Sequence, residues 1–114
     1  METTAYKILS DDEMEKLEHD GMFAGAPVDL ADGYVHLSTC TQLQGTVDKH
    51  FAERQDLWIA AVDLEALGDA VKWEVSRGGE LFPHLYAPLP LSAVTAYSPI
   101  HREADGTVRL PVAG

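Results

Sequence analysis

Residues Gly33 to Thr39 read G-Y-V-H-L-S-T, a turn, a strand and a helix cap in immediate succession. Asp32-Gly33 is a turn dipeptide, since glycine takes the positive φ that tight turns require. Val35 and Leu37 then alternate with Tyr34, His36 and Ser38, the period-two pattern of a strand with one apolar face. The aliphatic pair is expected to face the core and the polar set a cleft or solvent. Thr39 is expected to cap a helix, with Gln42 three residues on completing a capping box. Leu43, Val47 and Phe51 recur every four residues, a narrow core-facing stripe. His50 beside that stripe is expected at the surface. Cys40, in the first helical turn, is expected to pack as a small apolar residue.

Upstream, Ala5 to Leu9 reads as a strand, and Ser10-Asp11-Asp12-Glu13 has the form of a second capping box. Met14 and Leu17 would dock that helix, and Asp20-Gly21 would end it. Gly25 to Asp32 reads as turn-forming, without helical period. Downstream, Leu57 to Val62 is an unbroken apolar run suited to a central strand covered on both faces. Asp63 to Leu67 reads as a helical turn or loop, and Val71 to Val75 alternates as a strand. Arg77-Gly78-Gly79-Glu80 is a loop, followed by an extended piece at His84 to Tyr86, a turn at Leu89 to Leu91 and a strand at Ala93 to Tyr97. Asp105-Gly106 signals a hairpin, with a final edge strand over Thr107 to Val112. Two early helices and five to seven short strands predict a small single α+β domain with a mixed, mostly antiparallel and bent sheet.

A length of 114 residues is that of one domain, and 46% hydrophobic residues suffice for a core. The formal net charge is −11. Residues 1–57 hold 12 acids and 4 bases, and residues 58–114 hold 7 and 4. Such a field repels polyanions, so nucleic acid is not expected as a bulk partner, whereas a small nucleotide needs only a few donors at one spot. A membrane partner is not expected either, because no stretch approaches the ~20 apolar residues that span a bilayer. The lack of a signal-peptide pattern and the single cysteine, Cys40, fit a cytoplasmic protein without a disulfide framework or a multi-cysteine zinc motif.

Two short weaves carry the residue types that do chemistry. His36-x-Ser38 and His84-x-Tyr86 each set an imidazole beside a hydroxyl on one strand face. Imidazole moves protons near neutral pH, and hydroxyls bond sugar or phosphate oxygens. Arg77, beside two glycines, could reach an anion. Glu80 is the acid expected to help His84, while Glu74 is expected on a solvated face. No metal site is predicted, since the histidines lack ligand spacing and no H-E-x-x-H occurs. A Ser38/His84 hydrolase has no G-x-S-x-G elbow to support it. A structural histidine network without catalysis stands as the alternative.

The motifs D-x-x-D-G-Y-V-H-L-S-T and K-W-E-x-S-R-G-G-E-L-F-P-H-L-Y, with Gln42 and Thr46 between them, closely resemble the family called domain of unknown function 952. The likeness extends over nearly the whole chain. It implies a compact α+β fold similar to the ADP-ribosyltransferase group, which includes RNA 2′-phosphotransferase and the poly(ADP-ribose) polymerases. By that resemblance His36 and Ser38 would hold ribose hydroxyls of NAD or an ADP-ribose-like nucleotide, with Tyr34 beside them. Arg77 would meet a phosphate, Tyr86 would stack on a base, and His84 with Glu80 would carry out proton transfer. The late acidic residue of that group has no counterpart here, which puts transfer to an acceptor in doubt but not nucleotide binding.

Overall fold

The computed structural model describes residues 3–111, apart from the side chain of Arg77. Strand β1 (Thr4–Ser10) leads into helix α1 (Asp11–Asp20). Ser10 Oγ accepts from Glu13 N at 3.2 Å and the Glu13 carboxylate accepts from Ser10 N at 2.8 Å, so both halves of the expected capping box are present. Met14 and Leu17 are the buried residues of α1, and Gly21 ends it at φ 74°, a left-handed cap. After β2 (Met22–Phe23) the chain forms α2 (Pro27–Asp32) where a turn was expected. Pro27 at the first helical position pre-sets φ, and Asp29 accepts from Ala26 N at 2.8 Å. This helix is too short to display a period, and its polarity is inverted. Asp29 is buried, whereas Val28 and Leu30 are exposed.

Gly33, at φ 89°, turns the chain into β3 (Val35–His36), and Thr39 caps α3 (Cys40–His50) through the box with Gln42. Leu43 and Val47 are buried beneath α3 as expected, with Phe51 partly buried against them. Cys40 is exposed, which corrects its expected packing role: the first turn of α3 points it away from the Leu43–Val47 stripe. Strand β4 (Leu57–Asp63) is followed by the single turn α4 (Leu64–Leu67), β5 (Val71–Val75), β6 (Leu81–Leu85), β7 (Leu89–Pro90) and β8 (Val94–Pro99).

All strand pairs among the described residues are antiparallel, in ladders β1-β4-β8, β3-β6-β5 and β2-β7. The sheet is therefore antiparallel where a mixed one was allowed for. A two-bond bridge between Tyr6 and Ser38 (2.7 and 2.9 Å) ties the first ladder to the second just beyond β3, so the strands form three linked or neighbouring ladders where one bent sheet was expected. β4 is the central strand, as its apolar run predicted. Ala60 and Val62 join a core with Leu9, Leu17, Leu37 and Leu85, while Leu57 and Ile59 join a second core with Leu43 and Val47. The predicted final strand shrinks to a bridge between Arg102 and Val108, and Val112 lies outside the described residues. Val108 stays buried because its N–H bonds Gln44 Oε1 at 2.8 Å instead of extending a ladder.

The capping box makes the start of α1 a quantitative test. Ser10→Ala is expected to destabilise the domain by about 1 kcal/mol. A urea midpoint equal to that of the parent would show that the Ser10 hydroxyl does not hold this helix end.

Candidate functional site

β3 and β6 bring the two predicted stretches together. His36 and His84 are register partners across the ladder, with ring centroids 5.7 Å apart. Tyr34 lies over both, 4.0 Å from His84 in a stacked geometry and 4.6 Å from His36. His36, Ser38 and His84 line a cleft of about 420 Å³, together with the apolar Ile8, Leu37 and Phe82 and the polar Lys7, Asp32 and Thr46. That volume lies within the usual range for small-molecule sites. Tyr34 and Tyr86 line a neighbouring depression of about 260 Å³ instead. The backbone of Arg77 opens a turn beside Ser76, which lines the cleft, but its side chain is not among those described.

His36 stands against a buried carboxylate. Asp29, 1% exposed, accepts four hydrogen bonds: His36 N at 3.0 Å and His36 Nδ1 on one oxygen, Lys7 Nζ at 2.9 Å and Ala26 N at 2.8 Å on the other. Burial by itself would raise the Asp29 carboxyl. The hydrogen bond from His36 and the charge of Lys7 reverse this and hold it well below the usual carboxylate range. The second nitrogen of His36, Nε2, lies 3.0 Å from Asp32 Oδ2 at the cleft lip. Both nitrogens of this ring therefore face carboxylates.

His84 is held differently. It is 3% exposed, and its Nδ1 meets Glu74 Oε1 at 2.8 Å. Tyr86 donates its hydroxyl to the same oxygen at 2.7 Å. These two bonds, that of Tyr86 first, lower the Glu74 carboxyl, and Glu74 pushes the Tyr86 hydroxyl up to about 12. An ionised carboxylate only accepts, so Nδ1 carries a proton. In the neutral ring Nε2 is then an acceptor, and it enters none of the hydrogen bonds among the described residues.

Glu74 does keep a solvated side chain, 41% exposed, as expected, but its bonds to His84 and Tyr86 were not foreseen. Its signal was the pairing around Arg77-Gly78-Gly79. If Val75 pairs with Leu81, Lys72 falls opposite His84, and Glu74, on the same face as Lys72, lies diagonal to His84. Glu80, the acid expected to help, is exposed beyond β5 and joins none of these bonds among the described residues. Asp29 was hidden by its turn-like surroundings. Among the described residues no group of three or more histidine, cysteine or acidic side chains could hold a metal ion. None of the described helices is long and apolar enough to cross a membrane.

The profile of the family described as protein of unknown function (DUF952) matches residues 8–97, and the chain belongs to that family. The crystal structure of protein CC0527 from Caulobacter crescentus, a structural genomics target, is 47% identical with a TM-score of 0.86, over 94% of each chain. The solution NMR structure of the same relative is 48% identical with a TM-score of 0.81, over 94% of this chain and 91% of that one. No curated protein matches the chain.

The Asp29 hub has a pH signature. A depressed native pKa contributes stability that is fully present above the unfolded value, 3.8, and is lost as pH falls through the native one. Urea midpoints measured from pH 7 down to pH 2 are expected to fall on the acid side with a slope that Asp29→Asn lacks. At pH 7 that variant is expected to lose roughly 3–5 kcal/mol, since Lys7 stays buried without its counter-charge. Equal stability of the two proteins at pH 7 would exclude Asp29 as the hub.

Proposed function

We propose that the cleft binds an NAD-related or ADP-ribose-like nucleotide by a ribose end, with His84 as the proton carrier if the bound molecule reacts. The observation that carries this is the Glu74–His84 pair. A carboxylate fixes the ring by Nδ1 and leaves Nε2 outside the hydrogen bonds among the described residues, on a ring that lines a cleft of ligand size. An imidazole so oriented accepts a proton from a ligand hydroxyl or water within reach, and the carboxylate stabilises the resulting cation. Tyr86 donates its hydroxyl to Glu74, which helps hold the carboxylate against His84.

The ribose part of this proposal is supported by Ser38 on the cleft wall beside His36, and by apolar walls at Leu37 and Phe82 on which a base can lie. The likeness to ADP-ribosyltransferases rests on the sequence resemblance, and neither the family description nor the matched structures name an activity. Fold-level analogy does not fix function. Isothermal titration calorimetry with NAD, ADP-ribose and ADP is expected to give saturable binding, weakened in His84→Ala and Glu74→Gln. Absence of binding by all three at millimolar concentration would remove the proposal.

A second role, structural, is favoured for His36 by one observation: both of its nitrogens already meet carboxylates. On that view His36 ties α2 to β3 and shapes the cleft without chemistry. His36→Ala is then expected to cost about 1–3 kcal/mol, as loss of a partner to a buried carboxylate does. An unchanged melting temperature would return His36 to a purely ligand-binding role.

A further inference from the structure

The direction of each hydrogen bond around the cleft determines what a ligand has to bring. Asp29 and Asp32 face the two nitrogens of His36, so neither nitrogen is open to a ligand. Glu74 takes the N–H of His84 at Nδ1. Thr46 Oγ1 lies 3.2 Å from the carbonyl of Gln42 and 3.0 Å from Ser38 Oγ. Either hydroxyl can donate in the contact between them, and in both arrangements the Ser38 oxygen keeps a lone pair. Lys7 is the wall's lysine, and its charge is answered by Asp29 at 2.9 Å. What these side chains offer the cleft is then a row of acceptors: the remaining lone pairs of Asp32, Ser38 Oγ and His84 Nε2.

We infer that this wall selects a free ribose diol and rejects a phosphate ester on the same carbons, with Asp32 as the specificity-determining residue. This rests on the nucleotide proposal above and sharpens it. A vicinal diol brings two O–H donors, and a carboxylate is the acceptor that pairs with it most strongly, as in dinucleotide sites where an acid holds the ribose hydroxyls. Asp32 spends one oxygen on His36 Nε2 and, with a 45% exposed side chain at the lip, keeps the other available. A phosphate there would set its charge against the Asp32 carboxylate and its oxygens against lone pairs, with Lys7 already paired to Asp29.

The three isomers of adenosine monophosphate test this at constant composition. The 5′ isomer has a free diol, whereas the 2′ and 3′ isomers carry the phosphate on it. Calorimetry is expected to show the 5′ isomer binding tighter than either of the others by on the order of tenfold. In Asp32→Asn and Asp32→Ser, with folding checked by circular dichroism, that gap is expected to close to within about threefold. Equal binding of the three isomers by the parent protein, or a gap that survives both variants, overturns the role of Asp32 while leaving the nucleotide site in place. Failure of all three isomers, NAD and ADP-ribose to bind overturns the nucleotide proposal and this inference with it.

Discussion

A carboxylate removed from water has to be answered in full, because its desolvation is offset only when each lone pair finds a donor. Asp29 meets that condition with groups from three separated stretches: Lys7 on β1, Ala26 at the start of α2, and the backbone and ring of His36 on β3. Two of these elements are too short to hold themselves in place. α2 has six residues and exposes its aliphatic side chains, and β3 has two. What docks α2 is the acid on its inner face, and what aims His36 is the same acid. The link between the two main ladders also passes here, since Tyr6 lies one residue from Lys7 and bridges Ser38, two residues beyond His36.

The parts of the fold legible in the sequence are those whose signal is local. Two capping boxes, the Leu43–Val47–Phe51 stripe and the apolar run of β4 each fall where the pattern put them, because each depends on residues within a turn or a strand of one another. α2 was illegible for the opposite reason. Its defining residue is a buried aspartate whose donors come from residues 7 and 36, far along the chain, and its apolar positions point outward. The last strand was over-read: Asp105-Gly106 does turn the chain, but Val108 gives its N–H to a glutamine of α3, and only one bridge forms.

The same distinction holds within the site. His36-x-Ser38 and His84-x-Tyr86 look alike in sequence, and the structure does bring both histidines to one cleft wall. Their environments are nonetheless unlike. His36 meets two carboxylates, which saturate the ring. His84 meets one, shared with a tyrosine, which orients the ring and leaves a nitrogen over. An i, i+2 pattern tells which face a side chain takes but not how many partners await it there. Alternation along β5 placed Glu74 on a solvated face, where its side chain does stay 41% exposed, but only the cross-strand register sets it beside His84.

Charge completes the comparison between the chain as a whole and its cleft. A net charge of −11 would disfavour any anionic ligand if the cleft shared it. Within the wall, however, the charge of Lys7 is answered by Asp29 and Asp32 stands at the lip beside His36, so binding as proposed would have to come from hydrogen-bond direction and apolar contact. Hydrogen-bond direction is the more demanding of the two. An unmatched acceptor in a closed site forfeits its hydration without return, so a ligand lacking donors is rejected more strongly than one lacking apolar area. The aliphatic and aromatic walls at Ile8, Leu37 and Phe82 would admit many flat molecules, and on the proposed reading the acceptors beside them would select those that carry hydroxyl or amide hydrogens on the facing edge. The geometry that sets both nitrogens of His36 against carboxylates is thus the same geometry that places Asp32 at the cleft lip.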